Sequence, residues 1–370
     1  MINFSNETLM TQRIRQISQR LDELKADAFL VTNEINVSYL SGFTGDSSYL
    51  LIQDGRCTII SDGRYETQIA DECPDLETEI RYSGQRMIDS VQKVIADSGA
   101  KRVAVEAEHV SLSSFRSFAQ QIDSVQWVET SGVVEALRMI KDESEIEIIR
   151  QSIRINEQTF RSVVAKLRRD WSERDIAHEF ESTMRFLGAE GVSFVPIIGA
   201  DAAGALPHYT PSTKPIGNAK SLLIDWGAFY KGYASDMTRT LHQDHVSDKF
   251  RTAYQAVLDS QLAAIDAIRP GAKTADVDAV ARGVLERAGL GDAFVHGLGH
   301  GIGLQIHEGP RMSSISTETL QPGMVVTVEP GVYFAGDFGI RIEDDILVTE
   351  TGHEVLSHLP KGLDESRIML

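Results

Sequence analysis

Residues 221–241, SLLIDWGAFYKGYASDMTRTL, set the tightest constraint on the fold of this chain. Two runs rich in apolar, aromatic and β-branched residues flank Tyr230-Lys231, and Gly232 eases a turn there, so the stretch predicts a β-hairpin. With that turn, Asp225 and Asp236 fall directly opposite each other on one face. Opposed side chains sit about 4.5–5.5 Å apart at Cβ, and like charges so placed destabilise a sheet unless a cation lies between them. Asp225 also follows the apolar run 222–224, which puts its carboxylate at the edge of a core. A second stretch, TVEPGVYFAGDFGIRIEDDI at 327–346, repeats the arrangement: a turn centred on Gly336 sets Glu329 opposite Glu343. A single pair is compatible with two solvent-facing acids. Two pairs together with a histidine-rich loop point to a metal centre.

A third stretch supplies nitrogen. FVHGLGHGIGLQIHEGP, residues 294–310, holds His296, His300 and His307 among five glycines that allow close approach to the backbone. Four carboxylates balance two divalent cations, whereas one cation would leave excess negative charge in a low-dielectric interior. Oxygen-rich ligation with a single imidazole favours manganese or cobalt, with zinc or iron also accommodated. A zinc-finger reading is excluded, because the two cysteines, Cys57 and Cys73, lie far from these residues in sequence.

At 370 residues the chain is long enough for two domains. From residue 11 to about 130, short β runs (28–32, 49–52, 57–60, 103–106, 125–128) alternate with helical stretches (11–25, 87–98, 111–122), the rhythm of an α/β layer structure. Asp54-Gly55 marks a hairpin turn, and residues 39–45, YLSGFTG, suggest a tight loop between strands that faces solvent, substrate or partner. Nothing in this half clusters His, Asp and Glu at a catalytic spacing. The texture changes at RMIKDESEIE, 138–147, where Asp142 or Ser144 can cap a new helix, so the domains are expected at 1–138 and 139–370. Helices are expected to follow from Ser172 and at about 247–268 and 274–288. Strands are expected at 193–198, 221–230, 233–242, 324–329 and 339–349, giving antiparallel hairpins with helices on one side.

Lys and Arg number 36 against 54 Asp and Glu, a net charge of −18, which disfavours nucleic acid or an anionic membrane as partner. No apolar run reaches the roughly 18 residues of a membrane span, and the first residues show no charged start followed by an apolar segment. A cytoplasmic location with two free thiols is the expectation.

The motifs DWGAFYKGYASD, HGLGHGIG, EPGVY and RIED resemble those of the metallopeptidase family that includes methionine aminopeptidase, prolidase and Xaa-Pro aminopeptidase. The resemblance covers 145–358 and implies an α+β fold with a pita-bread catalytic domain. It implies five metal ligands, Asp225, Asp236, His300, Glu329 and Glu343, holding two divalent ions, Mn2+ or Co2+ before Zn2+ or Fe2+. The preceding 130 residues resemble the α/β N-terminal domain of the prolidase, aminopeptidase P and creatinase branch. Methionine aminopeptidases lack that domain, and creatinases lack the metal ligands.

The resemblance further implies that His208, in LPHYTP, lies in the substrate pocket, that His296 and His307 flank the ligand His300, and that Tyr333 and Arg341 line the proline side. Read alone, each of these has a structural explanation, Arg341 pairing with Asp337 or Asp345 among them. The implied reaction is hydrolysis between an N-terminal residue and a following proline, by a hydroxide bridging the two metals. Glu329 is the expected base, and His307 with His208 the expected oxyanion donors. The 39–45 loop tips the reading toward an Xaa-Pro aminopeptidase, with Xaa-Pro dipeptidase (prolidase) as the alternative and a non-catalytic binding protein as a remote third. The family also implies peptide substrates and a homodimer.

Overall fold

The backbone of the computed structural model, which describes residues 9–368, separates into two units, Met1–Arg138 and Met139–Leu370. The opening residues 1–8, read above as lacking an apolar leader, lie outside the described residues.

The first unit is built on a six-stranded sheet in the order Glu77–Arg81, Arg56–Asp62, Tyr49–Gln53, Ala28–Val31, Arg102–Glu106, Gln126–Thr130. Ala28–Val31, AFLV, is buried throughout, as a central strand covered on both faces must be. Asp54 and Gly55 both take positive φ, 48° and 77°, the geometry of a two-residue hairpin turn between antiparallel strands. Ala28–Val31 pairs antiparallel with Tyr49–Gln53, and the three remaining pairings run parallel, with helices such as Met87–Ser98 and Leu112–Gln121 in the crossovers.

Residues 39–45 are not a loop between strands. Tyr39, Leu40 and Ser41 end the helix Glu34–Ser41, and Gly42 caps it in the left-handed region at φ 76°. Reading the two glycines as one tight turn missed that the first is a helix C-cap. The first unit does hold one buried polar network that the spacing gave no sign of. Glu106, buried at 5% exposure, accepts from the backbone N–H of Thr32 and Asn33 and from Asn36, which also donates to Glu135 beside His109. These groups are hydrogen-bonded to one another and tie the helix Glu34–Ser41 to the sheet.

The second unit opens with the helix Glu143–Val164, capped by Asp142 and closed by a capping box with Glu145. Ser172 caps the next helix, Glu173–Phe186, in the same way with Asp175. Both pack on the strands Ile197–Ala200, Ser221–Trp226 and Met237–His242 around Trp226, which stacks on Phe160 at 4.7 Å between ring centroids. A second pair of helices, Asp248–Ala267 and Thr274–Arg287, backs a five-stranded sheet in the order Glu308–Met312, Gly299–Gly301, Val325–Val328, Asp344–Val348, His353–Val355. The strand expected at 193–198 starts only at Ile197. Pro196 has no N–H to give a ladder, and Val195 is 69% exposed.

Candidate metal centre

The hairpin built from 221–242 carries its aspartates two residues out of the expected register. Strands Ser221–Trp226 and Met237–His242 pair with Thr238 across from Asp225, and the turn is Lys231-Gly232 rather than Tyr230-Lys231. A two-residue turn of this kind needs positive φ at both central positions; Lys231 takes 48° and Gly232 takes 76°. Moving the turn by one residue moves the pairing by two, an even slip that keeps every side chain on its face. Asp225 and Asp236 are therefore diagonal neighbours rather than opposed, and both still line one cavity.

The glutamate hairpin matches expectation. Val325–Val328 pairs with Asp344–Val348, and Gly331–Phe334 with Phe338–Arg341, in a single unbroken register around Gly336. Glu329 and Glu343 occupy the opposed positions between the two ladders. Both aim into the cavity, where a regular ladder gives way.

His300 comes from the short strand Gly299–Gly301, wedged between Glu308–Met312 and Val325–Val328. A Cβ at 299 or 301 would overlap the backbone of Thr327 or of Gly309, so glycine is required on both sides of the histidine. Nδ1 of His300 lies 3.1 Å from the Gly301 carbonyl, which accepts its proton and leaves the Nε2 lone pair facing the acids. Nε2 stands 3.6 Å from Asp236 Oδ2 and 3.4 Å from Glu329 Oε1. Asp236, His300 and Glu343 together offer three ligand atoms within 4.8 Å of one another.

The electrostatics show what this arrangement lacks. Burial, then the mutual repulsion of the acids, pushes the carboxyls of Asp236 and Glu343 well above the usual carboxylate range. Burial raises Glu329 to about 8, and raises Asp225 against the opposing pull of Arg341. Burial also lowers His300 to about 4, keeping its imidazole neutral at physiological pH. Asp225 Oδ1 and Glu343 Oε1 are buried with no hydrogen-bond partner. Orphaned acceptors of this kind are costly, and a cation is the partner that satisfies both at once. The donor set fits divalent metal.

The remaining residues singled out from sequence, Tyr333 excepted, converge on the same cavity of about 670 Å³: His208, His296, His307 and Arg341 line it with the four acids and His300. Tyr333 does not. It stands behind the wall, its hydroxyl 2.7 Å from Arg341 Nη1 and 2.8 Å from His296 Nε2. Arg341 pairs with neither Asp337 nor Asp345. Its Nη2 donates to Asp225 Oδ2 at 2.5 Å, and Lys249 takes Asp337. His307 sits with its ring 4.4 Å from that of His300, and His208 follows the short helical turn Asp201–Ala205. Glu173 fixes that segment, accepting from Ala200 N, Tyr209 Oη and Ser212.

Several supporting residues were not found from sequence. Thr238 Oγ donates to Glu343 Oε2 at 2.6 Å, and Thr327 Oγ lies 3.3 Å from Glu329 Oε1. Arg239, 1% exposed, donates to the backbone oxygens of Thr238 and Glu343 and pairs with Asp344, joining the two hairpins from behind. A hydroxyl or guanidinium that acts across two hairpins leaves no spacing signal. The alternation Asp236, Thr238 on one strand face was the only available cue.

Comparison with known proteins follows the same division. Residues 13–140 match the creatinase/prolidase N-terminal domain, and residues 147–350 match metallopeptidase family M24. The chain is 32% identical to an Xaa-Pro dipeptidase of Pyrococcus furiosus, over 96% of this chain and 100% of the relative. Among solved structures it resembles an Xaa-Pro dipeptidase from Bacillus anthracis, with a TM-score of 0.92 and 38% identity over 96% of this chain and 99% of that one. It also resembles an X-Pro aminopeptidase from Thermotoga maritima, with a TM-score of 0.86 and 38% identity over 93% and 98% of the two chains. A creatinase-type domain followed by a pita-bread domain, with an acid-rich centre at its heart, makes this chain a peptidase that belongs to metallopeptidase family M24.

Proposed function

We propose that the chain is an Xaa-Pro dipeptidase, hydrolysing the bond between an N-terminal residue and a proline that ends the substrate. The leaning toward an aminopeptidase gives way because of Arg311. Its side chain lines the cavity, on the strand position paired with His300, and its guanidinium makes no ion pair among the described residues. An unpaired cation beside the reacting centre suits a substrate that brings its own carboxylate there, which a dipeptide does and a longer peptide does not. The Pyrococcus and Bacillus relatives, both named for dipeptidase activity, support the same choice.

Asp225, Asp236, His300, Glu329 and Glu343 would hold two divalent cations, with manganese or cobalt favoured by the oxygen-rich donor set. Bound there, the metals supply Lewis acidity and lower the pKa of water enough to make it nucleophilic near neutral pH. Glu329 takes the proton from the attacking water and passes it to the proline nitrogen as the bond breaks. His307, which burial keeps neutral, and His208 donate to the oxygen that gains negative charge. Arg341 draws the Asp225 carboxyl down against burial and orients Tyr333, and Tyr333 in turn fixes the ring of His296, whose Nδ1 donates to the Gly297 carbonyl. Phe194, Ile197 and Pro207 give the cavity an apolar wall for the proline ring or its neighbour.

A length series, Leu-Pro, Leu-Pro-Gly and Leu-Pro-Gly-Gly, run with Mn2+ and with Co2+, tests the reading. Cleavage of the dipeptide alone is expected. Arg311→Met is expected to raise KM for the dipeptide by about 10–100-fold, the scale of a lost hydrogen bond to a charged group. Tri- and tetrapeptides cleaved as fast as the dipeptide would restore the aminopeptidase reading. The homodimer implied by the resemblance belongs to the same proposal and is checked by sedimentation.

A further inference from the structure

Between the ligand His300 and the ladder residue Glu308, the chain makes a six-residue excursion, 302–307, that ends on His307. Its base is a bulged hairpin: Gly301 pairs with Glu308, and the register shifts between His300 and Gly301. A bulge re-aims the side chains beside it and leaves the local ladder weaker. What holds this hairpin shut is a buried ion pair. Lys141 Nζ donates to Glu308 Oε1 at 2.7 Å, with side chains 1% and 5% exposed. Glu308 Oε2 accepts from Gln305 N within the excursion, and the carboxylate lies over Gly303, where a Cβ would collide with it. Gly303 is itself tied to Ala234, two residues from Asp236, by a 2.8 Å backbone bond. Lys141 is anchored in turn, its N–H donating to the Gly323 carbonyl.

A fully buried ion pair is weak support for stability, since two apolar side chains of similar volume commonly do as well. Placement gives this one a use. It grips the residue that directly follows His307, and the grip reaches across the loop to Gln305. We infer that the buried Lys141–Glu308 pair is a positioning device, which closes the 302–307 excursion and so holds the His307 ring against His300 and over the reacting centre. Lys141 and Glu308 are positioning residues; neither touches the substrate. The role of His307 as a donor rests on the dipeptidase reading, whereas the placement of its ring does not.

The test separates positioning from stability. Lys141→Met strands a buried carboxylate and is expected to lower Tm. The double variant Lys141→Met/Glu308→Leu removes both charges and is expected to recover most of that Tm. With Mn2+ loaded to the wild-type level, the double variant is expected to keep its KM for Leu-Pro and lose about 100-fold in kcat, the scale of a 1 Å misplacement. Lys141→Arg, which keeps the charge, is expected to retain most of kcat. Crystal structures of wild type and double variant supply the second arm, in which the His300–His307 centroid separation of 4.4 Å is expected to widen. An unchanged separation in the double variant overturns the inference whatever the rate. A wild type that leaves Leu-Pro uncut defeats the dipeptidase reading, and the crystallographic arm still decides this one.

Discussion

The two acid-bearing hairpins satisfy each other, but unequally. The glutamate hairpin lends the aspartate hairpin a full positive charge, Arg341 on Asp225. To the cavity-facing acids of its partner the aspartate hairpin returns a hydroxyl, Thr238 on Glu343, while its own guanidinium, Arg239, is taken by Asp344 behind them. Asp225 is accordingly raised by burial but drawn down by its guanidinium, while Glu343 and Asp236 stand well above the carboxylate range with nothing comparable to offset them. The same two residues, with His300, form the tight group of ligand atoms. Need for an external cation is concentrated on the Asp236–Glu343 side, and the Asp225 side is partly self-neutralised.

That asymmetry is most directly broken by removing Asp236. Asp236→Ala, or His300→Ala, is expected to abolish metal binding at the tight group and cut turnover by about 1,000-fold or more, the scale of losing several kcal/mol of transition-state charge stabilisation. Metal content by elemental analysis and rates on Leu-Pro measure both. The fold should survive, and metal-free Asp236→Ala should melt above the metal-free wild type at pH 8, because one source of repulsion is gone. A lower melting temperature for the variant would mean that the aspartate earns its place structurally.

The acid side also predicts how stability depends on pH. Glu329 is held to about 8 in the folded chain, against about 4.5 for an unstrained glutamate. The folded state therefore binds more protons than the unfolded state between those values, and stability falls as pH rises through that window. Metal-free protein is expected to melt several degrees higher at pH 6 than at pH 8.5. Saturating Mn2+ should reverse the order, because bound metal stabilises the deprotonated acids and its affinity climbs with pH. Melting curves at the two pH values, with chelator and with metal, decide it.

How much of this was readable beforehand follows from the same contrast. The glutamate hairpin was legible down to its register because a turn centred on one glycine, Gly336, leaves no competing solution. The aspartate hairpin was not, because Lys231 had to enter the left-handed region for the turn to sit where it does, and a lysine gives no sign of that. The error was harmless to the site: a slip of two residues conserves the face. The ligand types and their convergence were therefore visible as pattern. Arg341 on Asp225, Thr238 on Glu343 and Arg239 behind both hairpins are long-range contacts, set by how two hairpins pack, and local periodicity carries no information about them. Arg311 escaped notice for the same reason, since only the pairing with His300 brings it to the cavity. In the first unit, the helix Glu34–Ser41 was hidden because its β-branched and aromatic residues are weak helix formers and its last three residues read as the start of a loop.

A smaller perturbation probes the weaker half of the exchange. Thr238→Val keeps the shape of the side chain and removes the 2.6 Å hydrogen bond to Glu343, along with the one received from Arg341 Nε. Metal affinity is expected to fall about 10–100-fold, as for other groups that orient a ligand. Titration with Mn2+ against a chelating dye measures it. An unchanged affinity would show that the hydroxyl is incidental and that Glu343 is placed by the ladder alone.

The least effect is expected at the turn that made the glutamate register legible. Gly336 takes φ 77°, and a Cβ there meets nothing within 4 Å, so Gly336→Ala costs only the backbone conformation, about 1 kcal/mol. The two ladders flanking Glu329 and Glu343 hold their register over eight paired positions, and the loss of turn energy is far too small to shift it. Chemical denaturation should show a slightly lower midpoint with unchanged slope, while metal stoichiometry and kcat stay at wild-type values. A variant that bound less metal would show that the turn, rather than the paired strands and Arg239 behind them, sets the distance between the two glutamates.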